Sequence, residues 1–542
     1  MQITCLGAVG CVTGSCFLLD NGKKYLVDCG LFQGGKKMED MNRDPWGFNP
    51  RDISALFLTH AHIDHSGRIP KLVRDGFRGK IYTTLPTAEL VKILLLDSAH
   101  IQEMESTWQT RKNRRRGLPD QEPLYTVEDA EACFPHLEVI PRDEMLKIHD
   151  ELKVRFRNAG HILGSSILEI WAGPGPLPHK IVFSGDLGKK DQLIVRDPHS
   201  IFNADTLFIE STYGNRNHKS FEESKKELLE AINYSYGYKE KVIIPAFAVE
   251  RTQEVLYVLG EFFRQGVIPS IPVYLDSPLA IAATEIFRKM QSCYDEEASA
   301  IVASGKDPFD FPQLIFCRSS EESIAINESP GPAIVIAGNG MCTAGRIKHH
   351  LKHNIWRKGS SLVIVGFQAE GTLGRAIVEG ANSIKIFGEK LLVRARIFTI
   401  GGFSAHADQR DLLGWLKHFE NPKMQVNVIH GEKSVSEGFA ALVQKRLGFS
   451  CSVPAIGSVI KLPPYLSEVA PKKMEKAGWQ ERLNEMTIRM EEIKALWESL
   501  PSAQKTQFAQ LLEARLAEPQ HHLDAIFEEA KKLADKNGQK AG

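Results

Sequence analysis

Six consecutive residues, His60-Ala61-His62-Ile63-Asp64-His65, constrain this chain more than any other feature. They read H-x-H-x-D-H, three imidazoles and a carboxylate. A regular helix or strand cannot turn four such side chains toward one ion, whereas a loop can splay them toward two adjacent ions. Imidazole and carboxylate suit zinc and leave positions open for water or substrate. The preceding run, Ser54-Ala55-Leu56-Phe57-Leu58-Thr59, reads as a buried strand, so the cluster sits just past a strand's carboxyl end. The same grammar recurs. Apolar runs lead into Asp186, Glu210 and His430, and the run 395–400 leads through Gly401-Gly402-Phe403-Ser404-Ala405 to His406. Open α/β sheets build sites this way, with buried strands delivering polar residues at their ends.

Bulk composition narrows the field. At 542 residues the chain is long enough for two or three domains, and 43% hydrophobic residues are ample for large cores. Lys plus Arg equals Asp plus Glu at 67 each, which argues against a protein held on nucleic acid by bulk charge. Nine cysteines, scattered and without C-x-x-C, fit a reducing cytosol and free thiols. No N-terminal apolar signal segment is present, and no apolar run approaches the ~18 residues of a membrane span. The expectation is a soluble, cytoplasmic protein with no membrane association.

Taken in order, the motifs resemble those of the metallo-β-lactamase fold and, within it, the β-CASP nucleases, such as the pre-mRNA 3′-end cleavage endonuclease subunit and its bacterial and archaeal relatives. The lactamase-type signals are Asp28 in Leu26-Val27-Asp28-Cys29-Gly30, the cluster 60–65, His161 in Ala159-Gly160-His161 and Asp186 in Ser184-Gly185-Asp186. The β-CASP signals are Glu210 in Glu210-Ser211-Thr212-Tyr213-Gly214, His406 in Phe403-Ser404-Ala405-His406-Ala407-Asp408, and His430 in Ile429-His430-Gly431-Glu432. The match covers residues 1 to about 463.

The resemblance implies an α/β fold: a four-layer αββα metallo-β-lactamase domain, an inserted parallel α/β β-CASP domain and a helical C-terminal tail. It implies two zinc ions per chain, one on His60, His62 and His161, the other on Asp64, His65 and His430, with Asp186 bridging. Asp28 then orients a ligand imidazole through its second ring nitrogen. The implied activity is a zinc-dependent ribonuclease. A dinuclear-metal hydroxide attacks phosphorus and leaves a 5′-phosphate and a 3′-hydroxyl, with internal cleavage in RNA processing or decay as the expectation. His406 is the candidate general acid or phosphate donor, and Glu210 would set its tautomer. A histidine at position 430 resembles the RNA-acting members; DNA crosslink-repair members carry an apolar residue there. Three rival readings stand beside this one: a small-molecule hydrolase of lactamase or thioesterase type, a DNA nuclease, and a non-catalytic RNA-binding subunit. The last speaks poorly to a chain that keeps every ligand position.

Other substrate contacts rest on less. Ser404 precedes His406. Gly340 and Arg346 belong to Gly338-Asn339-Gly340-Met341-Cys342-Thr343-Ala344-Gly345-Arg346, a Gly-rich turn after a strand-like run, where backbone N–H groups suit a phosphate and an ordinary tight turn is the plain alternative. The basic run Arg111-Lys112-Asn113-Arg114-Arg115-Arg116 near Trp108 suits an RNA backbone, although charge runs are commonly just solvated. The expected organisation is 1–203 and 384–463 for the lactamase domain, 204–383 for the insert, and 464–542 for the tail. Helices are expected at 87–105, 127–133 and 251–265, and strands at 241–247 and 273–275. In the tail, Trp479, Leu483, Met486, Met490, Ile493, Trp497 and Leu500 form a near-heptad stripe, equally suited to self-packing or to a homodimer contact.

Overall fold

The computed structural model describes residues 1–174 and 178–462, and the tail stripe lies outside them. Two seven-stranded sheets face each other. The first runs Val459–Lys461, Gln2–Cys5, Phe17–Asp20, Lys24–Val27, Ile53–Phe57, Lys80–Thr83, Leu137–Val139. The second runs Ser450–Ser452, Gln425–Val428, Thr206–Ile209, His179–Phe183, Ser166–Ala172, Leu152–Asn158, Leu146–His149.

The alternation of side chains along a strand explains the layering. Phe17, Leu19, Tyr25, Val27 and Phe57 point between the sheets and meet Phe156, Phe183 and Phe208. The rings of Phe183 and Phe208 stack with centroids 4.5 Å apart. Their neighbours Leu18, Leu26, Leu56 and Leu58 point outward to a helical layer that includes Leu72, Leu90 and Leu94. On the second sheet Val182, Leu207 and Ile209 point outward to Leu412, Leu416 and Phe439. The result is αββα. Strands buried on both faces read as the continuous apolar runs seen in the sequence.

The insert is a six-stranded sheet whose neighbours all pair in parallel: Leu314–Phe316, Val273–Asp276, Ala333–Ala337, Lys241–Pro245, Ser361–Ile364, Arg396–Thr399. Ile244, Ile334 and Val363 pack on one face and Ile243, Val335 and Ile364 on the other, so both faces are covered. Helix Pro278–Lys289 joins insert and body. Its Ala280 and Ile281 enter the insert core, while Ala283 and Phe287 enter the body's helical layer. That layer includes helix Leu85–Arg114, longer than expected and carrying most of the basic run. Exposed Trp108 on it has the Lys112 ammonium 5.1 Å from its ring.

Strand pairing crosses the expected boundaries at 203 and 383. Thr206–Ile209 pairs with His179–Phe183 and Gln425–Val428, so it belongs to the body. Arg396–Thr399 pairs with Ser361–Ile364 and is the last strand of the insert. Both are short apolar runs leading to a polar residue, and that pattern does not say which sheet a strand joins. Among the described residues no helix is long and apolar enough to cross a membrane, and all nine cysteines are free.

Candidate metal centre and active site

The cluster 60–65 is not wholly a loop. His60 and His62 lie outside helix and strand, and His62 precedes a single helical turn, Ile63–Ser66, that carries Asp64 and His65. The turn is clamped from beneath. Gly30 passes so close that a Cβ there would stand 1.6 Å from the Asp64 carbonyl oxygen. Asp28, at the end of strand Lys24–Val27 with φ +57°, accepts from the Thr59 N–H at 2.9 Å, from Thr59 Oγ1 at 3.0 Å and from Ser15 Oγ at 3.0 Å. It also accepts from His65 Nδ1 at 2.7 Å, which turns Nε2 toward the cluster.

Seven donors converge in two groups that share Asp186. One holds His60, His62, His161 and Asp186; the other holds Asp64, His65, Asp186 and His430. In the first, His62 Nδ1 lies 3.2 Å from both His60 Nε2 and His161 Nε2. Asp186 Oδ2 lies 3.5 Å from His60 and 3.6 Å from His161. In the second, His65 Nε2 and His430 Nε2 are 3.1 Å apart. Asp186 Oδ1 stands 3.3 Å from His65 and 3.6 Å from His430, and Asp64 Oδ2 stands 3.5 Å from His430. Each oxygen of Asp186 therefore serves one group.

The donor set itself shows that a cation fits. With Nδ1 of His65 on Asp28 and Nδ1 of His430 3.1 Å from Thr212 Oγ1, both Nε2 atoms face each other and Asp186, the side on which a metal would take them. Asp186 Oδ1 and His161 Nδ1 are buried without a hydrogen-bond partner. A tetrahedral zinc with Zn–N near 2.0–2.1 Å spaces its ligands about 3.3–3.4 Å apart, close to the separations seen here. Burial pushes His62 down to about 4 and holds His60 and His161 well below the usual imidazole range, which leaves them in the neutral form a metal needs. In the second group burial opposes protonation of His65, but Asp186, Asp28 and Asp64 together raise it well above that range. That field of carboxylates is the one a dication would neutralise.

His406 stands at the edge of the cluster, with its side chain 18% exposed. Its Nδ1 lies 3.3 Å from both oxygens of buried Glu210 and 4.0 Å from Asp186 Oδ2. Burial works against its protonation, yet Glu210 and Asp186 raise it. Glu210 is itself held by the Leu187 N–H at 2.6 Å. His218 Nε2 donates to the His406 carbonyl at 3.0 Å.

The remaining expected contacts lie differently. Ser404 is buried, and its N–H closes a turn on the Gly401 carbonyl. The Gly340 carbonyl accepts from Gln368 Nε2 at 2.8 Å, and a Cβ at Gly340 would meet the Phe247 ring at 2.8 Å. The N–H groups of Met341 and Cys342 turn inward onto Asn339. Arg346 donates to Asp276 Oδ1 at 2.6 Å and to the carbonyls of Cys317 and Arg318. Gly340 and Arg346 thus take part in packing the insert, and no contact joins them to the seven donors. Sequence reading passed over Thr59, Ser15, Thr212 and His218. Thr59 adjoins the cluster and Thr212 lies inside the run 210–214, but neither was given a role; Ser15 and His218 carry no signal.

Fold and site together define a metal-dependent hydrolase of metallo-β-lactamase type. Comparison with known proteins makes this specific. Residues 9–91 match the metallo-beta-lactamase superfamily, 252–377 the Beta-Casp domain, and 390–454 the Zn-dependent metallo-hydrolase RNA specificity domain. The chain is 39% identical over 434 residues to ribonuclease TTHA0252 of Thermus thermophilus, covering 80% of this chain and 94% of that one. It is 31% identical over 462 residues to the transcription termination factor FttA of Methanosarcina mazei, covering 82% and 69% of the two chains. The FttA of Methanocaldococcus jannaschii is 30% identical over 463 residues, covering 84% and 70%. The chain belongs to the β-CASP ribonuclease family.

Proposed function

We propose that this protein is a zinc-dependent ribonuclease that cuts RNA internally, leaving a 5′-phosphate and a 3′-hydroxyl. The observation that carries the reading is the sharing of Asp186 between two donor groups with His406 and Glu210 at their rim. The 39% identity to a protein named a ribonuclease supports RNA as the substrate. His60, His62 and His161 would hold one zinc, Asp64, His65 and His430 the other, and Asp186 both. Two zinc ions there supply Lewis acidity toward water and toward the phosphate oxygens.

The chain's own groups do the rest. Asp28 holds the His65 ring by Nδ1, and Thr212 holds the His430 ring the same way. Glu210 occupies Nδ1 of His406 and favours its charged form, which leaves Nε2 as the atom to hand a proton to the departing 3′-oxygen. His218 fixes the backbone of His406. We assign substrate contact to His406. Ser404 supports the turn that leads to His406, while Gly340 and Arg346 pack within the insert.

The test uses purified protein, RNA labelled at the 5′ end or internally, a matched DNA strand, and a His65→Ala control. Zinc-dependent internal cutting of RNA by wild type alone is the expected result. Cleavage of DNA in preference to RNA, or equal cutting by the variant, would overturn the proposal.

A further inference from the structure

Of the zinc ligands proposed above, His161 sits in a loop held from outside itself. Within the loop, the N–H groups of His161 and Ile162 donate to Ser165 Oγ at 3.0 and 3.2 Å. The Gly164 carbonyl accepts from Thr84 Oγ1 at 2.8 Å and Thr87 Oγ1 at 2.9 Å. The Leu163 N–H, however, donates at 2.8 Å to Glu250 Oε2, which belongs to the insert. Beside Glu250 lies Gln192, whose Nε2 donates to the His161 carbonyl at 3.1 Å. One carboxyl group thus reaches the ligand's loop directly and flanks the side chain that holds the ligand's own backbone.

Glu250 is 1% exposed and has φ +65° and ψ −58°, a conformation that costs a residue with a side chain. It stands at the start of helix Arg251–Gln265, where a side chain would ordinarily cap the helix, yet it makes no cap hydrogen bond. Its side chain goes across to the body instead. The next turn of the helix is anchored by the buried pair Arg251–Glu254.

We propose that Glu250 is a positioning residue for the metal centre: from the insert it locks loop 160–165, so that His161 is presented to the metal only when the insert is seated on the body. The inference rests on the reading of His161 as a zinc ligand. Burial, with Glu254 nearby, pushes the Glu250 carboxyl well above the usual range, so glutamine copies its neutral form and keeps an oxygen for the Leu163 N–H.

The experiment measures release of zinc from the full-length protein to a chromophoric chelator, with the melting temperature of the metal-free protein alongside. Glu250→Ala should speed the loss of one of two zinc ions by about 10–100-fold and leave the second phase unchanged. Glu250→Gln should restore the wild-type rate, and Gln192→Ala should move the same phase in the same direction. Ser323→Ala, which removes a buried hydrogen bond to Asp276 elsewhere in the insert, serves as a control for lost stability. It should lower melting without altering release. Wild-type release from Glu250→Ala would overturn the proposal even if the variant melts lower, as would equal acceleration of both phases in Glu250→Ala and Ser323→Ala. Should Glu250→Ala not fold, unchanged release from Gln192→Ala overturns it. A wild-type protein that binds no zinc would overturn the metal-centre reading itself, a result separate from all of these.

Discussion

Asp186 in the body and Asp276 in the insert are both buried, both follow or end a strand, and both have histidines beside them, yet they do different things. Asp276 accepts from Ser323 Oγ at 2.5 Å, His350 Nε2 at 2.6 Å and Arg346 Nη1 at 2.6 Å. Despite burial, those donors hold it below the usual carboxylate range. Asp186 has four imidazoles around it, but their nearest nitrogens stand 3.3–3.6 Å away. Two of those rings have their other nitrogen committed elsewhere. A buried charge must be compensated. Around Asp276 the protein supplies close hydrogen-bond donors; around Asp186 the nearest ring nitrogens stand farther off, at the separations ligands of a shared ion would take. Histidine beside aspartate does not define a metal site. The direction in which the ring nitrogens are already used does.

The sharpest way to break this contrast is to neutralise each aspartate in turn. Asp186→Asn should abolish binding of both metals and lower RNA cleavage by at least ~10³-fold, the scale on which one preorganised group acts, while melting of the metal-free protein changes little. Metal analysis with a cleavage assay checks this. Asp276→Asn should do the reverse. Breaking a buried ion pair costs about 3–5 kcal/mol, so the melting temperature should drop while metal content per folded chain stays at the wild-type value. If Asp276→Asn lost metal, or Asp186→Asn kept it, the distinction would be wrong.

A third buried carboxylate extends the comparison to pH. Glu169 pairs with Arg155 at 2.7 Å and Lys180 at 2.8 Å. Burial opposes its ionisation, but the two cations pull it down to about 2 from 4.5. A carboxyl depressed in the folded state adds stability that is fully present above about pH 4.5 and is lost as pH falls toward 2. About 2.5 pH units correspond to about 3 kcal/mol. Acid melting curves of the metal-free protein should therefore steepen between pH 4.5 and 2, and Glu169→Gln should flatten that segment; an unchanged slope would contradict the assignment. The smallest effect is reserved for Asp28→Asn. It leaves all seven donors in place but weakens the hold on His65, so metal affinity of the His65 group should fall about 10–100-fold with the other group unaffected. Calorimetric titration with zinc resolves the two.

The sequence made the chemistry legible far better than the borders. The run 60–65 is contiguous, so candidate ligands could be read there without knowing the fold; the strand-then-polar-residue grammar picked out Asp186, Glu210 and His430, and the family resemblance gave them their expected roles. The same grammar could not say which sheet Thr206–Ile209 and Arg396–Thr399 join, because a short apolar run does not reveal its pairing partner. Arg346 looked like a phosphate ligand because it follows a Gly-rich turn; only the fold shows that Asp276 and two carbonyls hold it. The partners of Thr212, which lies in the run 210–214, and of Glu250 were hidden for a related reason. One meets His430 across 218 positions and the other meets Leu163 across 87, and nothing local marks either contact.

The most direct test of the account is to strip the metal from the protein and follow cleavage of an internally labelled RNA as zinc is returned. Seven donors in two groups around one aspartate predict no cutting at zero zinc and a rate that levels off at two zinc per chain. Cleavage by the metal-free protein, a plateau at one zinc, or two bound zinc ions with no cutting would contradict it.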